Sequence, residues 1–328
     1  MTAGHEIDAG RGVATSPAVA AARMDCPVCG SAHVRPFMTA TDNGHLRRTD
    51  ISLPVHRCES CDIFFLNPPP PAEIGQQYFA DAYANERSNL YYDDSFKERT
   101  SRLRIELFGR YGATSGRLLD VGCGKAQFVE VARKAGWDAW GVELDAGACE
   151  YAREHYGLHT VLNGTMSHAG LPREFDVVTL WDVIEHVPDP VDVLRQAAER
   201  LRSGGIIFVR TANIRSWTFD KHRDRWWAFG SDHRFYFSPA SLGKAMTLAG
   251  LEVLDVLNRE PAERPDKHQS KDISETPVSQ GLASVGRNPA KLFKSGRYIQ
   301  NLVRRRLGAW KYGEHYETGI MTIVGRKP

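Results

Sequence analysis

The run Leu-Leu-Asp-Val-Gly-Cys-Gly-Lys at residues 118–125 constrains the fold of this 328-residue chain more than any other segment. Its apolar start predicts a β-strand, and Gly122 and Gly124 predict a tight turn that opens a helix and lets the backbone approach a ligand. Glu143 follows 19 residues after Gly124, at the end of the next expected strand. A carboxylate there can accept hydrogen bonds from both hydroxyls of a ribose. The pattern predicts a nucleotide-type cofactor.

From residue 117 onward, short β-rich runs alternate with helical segments. Such alternation is typical of an α/β fold with a doubly wound, mostly parallel, Rossmann-like sheet. Seven strands are expected, and helices are expected between them. The strands lie at 118–121, 139–142, 160–162, 177–180, 206–209, 251–257 and 321–324, and the helices near 125–135, 146–156, 190–202 and 239–249.

The rest of the chain divides by composition. Residues 1–23 are rich in small residues without apolar periodicity, which predicts a disordered tail. Residues 24–71 hold two cysteine pairs and end in four prolines, which form a stiff boundary. Residues 72–116 are expected to form a helical cap or linker. The fourth part, 117–328, is the Rossmann-like domain, with a basic insertion at about 260–315.

Four cysteines form two Cys-x-x-Cys pairs separated by 28 residues. Two such pairs supply the four thiolates of a closed tetrahedral zinc site, so the pattern predicts a small zinc ribbon with a structural metal. A redox role is the alternative, but it would need one pair at the start of a helix that follows a strand. The predicted ligands are Cys26, Cys29, Cys58 and Cys61.

Charge and hydropathy exclude several classes. The 42 Lys and Arg residues nearly balance 40 Asp and Glu, which excludes the bulk basic footprint of a DNA-coating protein. No apolar run approaches the roughly 20 residues that span a bilayer. The N-terminus has no apolar segment behind a basic start, so a cytoplasmic protein is expected. The sequence leaves the oligomeric state open.

The glycine loop resembles the first motif of the class I S-adenosylmethionine-dependent methyltransferases, through Asp120, Gly122 and Gly124. Ala126 stands where that motif has its third glycine, and Gln127 stands where a dinucleotide fingerprint has one. The resemblance implies S-adenosylmethionine as cofactor, and a wider resemblance, through the zinc ribbon and the FFLNPPP phrase at residues 64–70, implies that two upstream tyrosines close over it. The implied cofactor-binding residues are Tyr78, Tyr83, Asp120, Gly122, Gly124, Glu143, Leu144, Trp181 and Asp182.

The segment at 175–190 delivers polar side chains to the carboxyl edge of the expected sheet. It resembles the fourth-strand motif of small-molecule methyltransferases, including the enzymes that O-methylate polyprenyl quinones, and the resemblance implies that His186 faces the methyl acceptor. Asp182, Glu185 and His186 also resemble a set that holds a divalent metal in some of those enzymes. Capping and packing by Glu185 and His186 are the alternative.

A second candidate base is His233, in a loop whose position matches the acceptor-covering loop of this family. A satisfied loop histidine is the alternative. The nearby aromatic residues are expected either to line the same pocket or to form core beneath a long loop. They are Trp217, Trp226, Trp227 and Phe229.

The basic insertion carries eleven Lys or Arg against four Asp or Glu between residues 262 and 312. A basic amphipathic helix at 290–311 would lie on an anionic membrane surface or hold a phosphorylated substrate. A helix docked on the core with a solvated charged face is the alternative. The membrane interpretation would give access to a lipid-linked acceptor at the inner face of the membrane.

A zinc ribbon, an FFLNPPP phrase and a methyltransferase core together resemble a bacterial family of glycan and natural-product methyltransferases. Related sugar C-methyltransferases have a large C-terminal domain that this chain lacks, which favours O-methylation of a small molecule such as a sugar. A polyprenyl-quinone-type O-methyltransferase, an RNA-modifying methyltransferase and a non-catalytic ribbon that recruits a partner are the alternatives. The Asn67-Pro68-Pro69 step precedes the first strand, so it does not indicate a DNA methyltransferase.

Overall fold

A computed structural model describes residues 24–44, 51–71, 73–74, 94–258 and 319–328. The strands are β1 (Val34–Thr41), β2 (Ser52–Cys58), β3 (Phe64–Leu66), β4 (Arg117–Val121), β5 (Asp138–Glu143), β6 (Val161–Asn163), β7 (Phe175–Trp181), β8 (Leu201–Ala212), β9 (Phe235–Tyr236), β10 (Glu252–Leu257) and β11 (Ile320–Arg326). The helices are α1 (Asp94–Phe108), α2 (Gln127–Lys134), α3 (Ala146–Tyr156), α4 (Pro190–Arg200), α5 (Trp217–His222) and α6 (Pro239–Leu248), with short 3-10 helices at Gly109–Tyr111 and Arg223–Arg225.

The larger sheet has seven strands in the order β10-β11-β8-β7-β4-β5-β6. Strands β4 to β8 pair in parallel, and β11 pairs antiparallel with both β8 and β10. The expectation of a doubly wound, mostly parallel sheet is confirmed. Strand β8 begins earlier than expected, at Leu201, and a register shift between Phe175 and Val177 of β7 accommodates the additional residues.

Local sequence signals set the ends of the helices. Asp145 accepts a hydrogen bond from the backbone N–H of Ala148 at 2.7 Å and caps the start of α3. Helix α6 begins with a capping box between Ser238 and Ser241, and Pro239 occupies its first turn. These caps fix where each helix leaves the sheet and therefore where each loop lies at the carboxyl edge.

The core lies on both faces of the central strands, which are apolar along most of their length, as expected for a sheet covered on both sides. Successive residues of a strand point to opposite faces. Leu118 packs with α1, α2 and α3, whereas Leu119 packs in the cluster that contains α4 and α6. Among the described helices, none is both long and apolar enough to cross a membrane.

The smaller sheet joins the cysteine-rich segment to the Rossmann-like part of the chain. Its order is β1-β2-β3-β9, and all its pairs are antiparallel. Three of its strands come from residues 34–66, but β9 comes from the loop before α6. The sequence does not predict this fourth strand, because a run of two residues is too short to carry a strand pattern. The cysteine-rich segment is therefore built into the fold.

The apolar packing follows the same division. One face of the smaller sheet, with Phe64 and Val55, shares a core with Trp226, Phe229 and Tyr236. On the other face, Phe65 and the cysteines belong to the cluster that contains α6. The cysteine-rich segment thus has no hydrophobic core of its own among the described residues.

Candidate functional site

The loop at residues 122–126, between β4 and α2, takes left-handed backbone conformations at three positions. The angle φ is +67° at Gly122, +54° at Gly124 and +60° at Ala126. A methyl group on Gly122 would lie 2.7 Å from Cγ2 of Val183, so a side chain does not fit there without displacing Val183. The loop exposes its backbone at the carboxyl edge of the sheet, where open α/β folds bind ligands.

Glu143 ties this loop to the end of β5. Its Oε2 accepts a hydrogen bond from the backbone N–H of Gly124 at 2.9 Å, and its Oε1 accepts one from Asp145 at 3.0 Å. Each carboxylate oxygen keeps a further lone pair, so both can still bind a hydroxyl. Leu144, beside it, is 73% exposed and offers an apolar surface at the same edge.

Asp120 is a buried carboxyl group at the end of β4. It is 3% exposed, and its Oδ1 accepts a hydrogen bond from Thr179 Oγ1 at 2.7 Å. Burial raises the pKa of Asp120 to about 7, although the hydrogen bond from Thr179 and the charge of Arg104 both act to lower it. A positively charged ligand at this edge would favour the ionised carboxylate.

Arg104 on α1 supplies a positive charge that the sequence does not predict at this site. Its guanidinium group lies 4.3 Å from the ring centroid of Trp181 and acts electrostatically on Asp120. Trp181 in turn packs edge-on against Phe128, at 5.6 Å between ring centroids. Nothing in the sequence distinguishes Arg104 from the other basic residues of the same helix, so only the fold could identify it.

Three side chains converge at the end of β7. Glu185 and His186 lie in the loop after β7, and His233 lies in the loop before β9. One nitrogen or oxygen atom from each lies within 4.8 Å of the other two. The two imidazole rings are edge-to-face, 4.6 Å apart. We call this set the acceptor-side cluster.

Backbone hydrogen bonds hold the two loops of the cluster together. The N–H groups of Arg234 and Phe235 donate to the carbonyl oxygen of Glu185, at 2.8 and 3.2 Å. Nδ1 of His186 lies 2.9 Å from the carbonyl oxygen of Asp232. That contact favours the tautomer with the proton on Nδ1, which leaves Nε2 able to accept a proton.

Buried acidic groups surround these histidines. Burial, and then the charge of Asp182, raises the pKa of Glu185 to about 8. Its Oε2 is buried and makes no hydrogen bond to any described residue. The Asp232 carboxylate is also buried, and its Oδ2 lies 3.7 Å from Nε2 of His233. A proton or a cation between these groups would offset their negative charge.

The structure corrects one member of the metal-binding set expected from sequence. Asp182 does not join Glu185 and His186 in the described cluster, where His233 takes the third place. The backbone of Asp182 turns through φ = +56°, and its half-exposed carboxylate instead forms an ion pair with Arg210. The spacing of Asp182 from Glu185 and His186 along the chain gave no indication of this ion pair.

The four cysteines come together as expected from their spacing. Their sulfur atoms all lie within 4.8 Å of one another. The Sγ–Sγ distances are 3.7 Å for both Cys26–Cys61 and Cys29–Cys58. A tetrahedron with Zn–S bonds of about 2.3 Å has edges of about 3.8 Å, so the four thiols fit a zinc ion. A hydrogen bond from Cys61 lowers the pKa of Cys26.

Residues 92–256 match the profile of a family described as "Methyltransferase domain", and this match covers half of the chain. The chain belongs to this methyltransferase family. The expected methyltransferase family and the expected fold are therefore confirmed.

Several relatives of the methyltransferase are named "Ubiquinone biosynthesis O-methyltransferase". The protein from Hydrogenovibrio crunogenus is 30% identical over 39% of this chain and 58% of its own length. That from Methylococcus capsulatus is 38% identical over 34% of this chain and 50% of its own length. The chain thus spans little more than half of these relatives. A solved SAM-dependent methyltransferase from Thermotoga maritima, 22% identical, covers 79% of this chain and all of its own, with a TM-score of 0.48.

Several expectations fall outside the residues that the structure describes. They are the cofactor-closing residues Tyr78 and Tyr83, and the basic helix at 290–311 of the methyltransferase. Two of the aromatic residues near His233 fit the second alternative, a core beneath a long loop. Trp226 and Phe229 are fully buried core, whereas Trp227 is 43% exposed.

Proposed function

We propose that this methyltransferase transfers the methyl group of S-adenosylmethionine to a hydroxyl oxygen of a small molecule. The observation that carries the proposal is the acceptor-side cluster, which lies at the same sheet edge as the glycine loop. An imidazole nitrogen there can accept the hydroxyl proton during methyl transfer.

Each end of the cofactor has a chemically suitable partner. The two oxygens of Glu143 would accept hydrogen bonds from the ribose hydroxyls, and Leu144 would pack against the base. Asp120 suits the positively charged methionyl end, because a nearby cation offsets the unfavourable burial of its carboxylate. Arg104 would bind the methionyl carboxylate, for which it offers a planar set of donors. Trp181 and Asp182 would line the rest of this proposed cofactor site.

When bound, S-adenosylmethionine would supply a methyl group on a positively charged sulfur, and that sulfur is a good leaving group. Nε2 of His186 would take the proton from the acceptor oxygen as that oxygen receives the methyl group. His233 and Asp232 stabilise the positive charge that forms on the imidazole.

A phenolic hydroxyl is the acceptor class we put first. A phenol has a pKa near 10, so an imidazole base can take its proton, and the names of the relatives point to quinone precursors. A sugar or natural-product hydroxyl, favoured by the sequence alone, is a weaker acid and needs further activation. A divalent cation held by Glu185, His186 and His233 would supply that activation. The buried Glu185 Oε2 fits such a cation.

Zinc at Cys26, Cys29, Cys58 and Cys61 is proposed as structural. Four protein ligands leave no open coordination position, so such a zinc ion would hold the ribbon together and would not activate the acceptor.

The test combines calorimetric titration of S-adenosylmethionine with an acceptor panel. Glu143→Ala should weaken binding at least about tenfold, because it removes charge-assisted hydrogen bonds. The matched control Glu150→Gln, on the exposed side of α3, should bind as the wild type does. Methyl transfer to catechols without added metal would support the phenolic acceptor. Transfer to sugars only with Mg²⁺ would favour the cation-assisted alternative.

Two outcomes would overturn the proposal. Salt-dependent retention and methylation of RNA would identify an RNA-modifying enzyme. Failure of zinc-loaded protein to bind S-adenosylmethionine would indicate a non-catalytic module whose ribbon recruits a partner.

A further inference from the structure

The loop that carries Asp232 and His233 is held largely by the cysteine-rich segment. We call residues 228–238 the acceptor loop. Its regular element is β9, and β9 pairs with β3 through Phe235–Phe65 and Tyr236–Phe64. The N–H of Leu66 also donates to the carbonyl of Arg234 at 3.0 Å. The strand that follows the second cysteine pair is therefore one support of this loop.

A second support is Asp42, at the end of β1. Asp42 is fully buried, and its Oδ2 accepts a hydrogen bond from the backbone N–H of Ser231 at 3.2 Å. The next two residues donate backbone hydrogen bonds to the carbonyl of Phe229, at 2.8 and 2.7 Å. The chains touch so closely here that a methyl group on Gly44 would lie 2.8 Å from the Cα of Gly230. A buried carboxylate is costly unless it is hydrogen-bonded, so this contact is specific.

A third support starts directly after the second cysteine pair. Asp62 follows Cys61 directly and forms an ion pair with Arg215, with Nε 2.9 Å from Oδ2. Its carbonyl accepts a hydrogen bond from Ser238 Oγ at 3.2 Å, at the other end of the acceptor loop. The loop is thus fastened to the cysteine-rich segment on both sides of Asp232 and His233.

We propose that the cysteine-rich segment is a positioning element of the acceptor site, and that Asp42 and Asp62 are its positioning residues. This rests on the proposed function of the acceptor-side cluster. The segment holds His233 against His186 while leaving the glycine loop untouched. Its integrity therefore controls the acceptor half of the reaction and not cofactor binding.

Hydrogen exchange read by mass spectrometry tests this on the full-length, zinc-loaded chain without any acceptor. Asp42→Asn should speed exchange in peptides from 228–238 by about tenfold and leave peptides from 118–126 unchanged, because only the first group loses its support. Asp25→Asn makes the same chemical change at an exposed position of the same segment and should alter neither. Zinc content is measured in parallel.

Arg215→Gln removes the ion pair of Asp62 by a change outside the cysteine-rich segment, and so guards against misfolding of that segment. It should also speed exchange in 228–238 while the affinity for S-adenosylmethionine stays within about twofold of wild type. Once an acceptor is identified, kcat should fall in both variants, whereas the KM for the cofactor should stay unchanged. The proposal would be overturned if exchange in 228–238 were unchanged with zinc retained. It would also be overturned if the affinity for the cofactor fell by the same factor as kcat.

The two proposals fail in different ways. If exchange responds as expected but no hydroxyl acceptor is methylated, the positioning role stands and the proposed reaction does not. If methylation proceeds and exchange is unaffected, the reverse holds.

Discussion

The proposed cofactor edge and the proposed acceptor edge of the sheet are built in different ways. The cofactor edge is formed largely by one continuous stretch, residues 118–145, with Asp120, the glycine loop and Glu143 in close sequence proximity. The acceptor edge combines three distant segments, at 42–66, 182–186 and 228–238. Local contacts define the first, and long-range contacts define the second.

This difference indicates how far from each edge a substitution can disturb the geometry of the site. A site on one strand–loop–helix unit forms whenever that unit folds, so its geometry is robust. A site shared among segments far apart in the chain depends on every interface between them, because ordering each loop costs conformational entropy that the contacts must offset. Substitutions at the cofactor edge should therefore act locally, whereas those at the acceptor edge should act at a distance.

The largest expected effect separates the two edges by catalysis. His186→Ala should lower kcat by about 10²- to 10⁴-fold, the usual contribution of a general base, with unchanged affinity for S-adenosylmethionine. His222→Ala, at an exposed position on α5, is the matched control and should leave both quantities unchanged. Steady-state kinetics and calorimetry measure the two effects. A fall in cofactor affinity that equals the fall in kcat would contradict the division.

The next prediction compares backbone strain at Gly122, in the glycine loop, with strain at a reference position, Gly157, which follows the end of α3. Gly157→Ala places a side chain at φ = +68° in open space and should lower the free energy of unfolding by about 1 kcal/mol. Gly122→Ala has nearly the same φ but also meets Val183, so its cost should be about 2–4 kcal/mol. Urea unfolding measures both. Only Gly122→Ala should weaken cofactor binding, and equal stability losses would show that Val183 moves aside.

The smallest expected effect is a pH dependence from Asp120. Its pKa is about 7 in the folded chain, and a cationic ligand requires the ionised form. Affinity for S-adenosylmethionine should therefore rise by up to about tenfold per pH unit below 7 and level off above it. The raised pKa also means that the unliganded fold loses stability as pH rises from the ordinary range of aspartate towards 7.

Two variants sharpen this pH prediction. Thr179→Val removes a hydrogen bond that lowers the pKa of Asp120, so the midpoint should move to higher pH. Asp120→Asn should remove the pH dependence, and calorimetry over pH 5.5–8.5, roughly 1.5 units either side of 7, measures all three proteins. A slope that persists in Asp120→Asn would assign the titration to the acceptor edge instead.

Much of the fold follows from residues near one another in the chain. The alternation of apolar runs and helical segments predicts all seven strands of the larger sheet, because periodicity and capping are local properties. The four cysteines are predictable for a related reason, since the short spacing within each Cys-x-x-Cys pair places its two sulfur atoms close together. Strand β9 escapes such reasoning, because Phe235 and Tyr236 become a strand only by pairing with β3.

The site divides along the same line. By itself, the sequence determined the glycine loop, the carboxylate at Glu143 and the identity of both candidate histidines, because residue type and spacing suffice for a local motif. Only the tertiary structure brought His233 beside Glu185, turned Asp182 towards Arg210 and set Arg104 over Trp181. These contacts depend on how distant segments pack, and spacing along the chain carries no information about that packing.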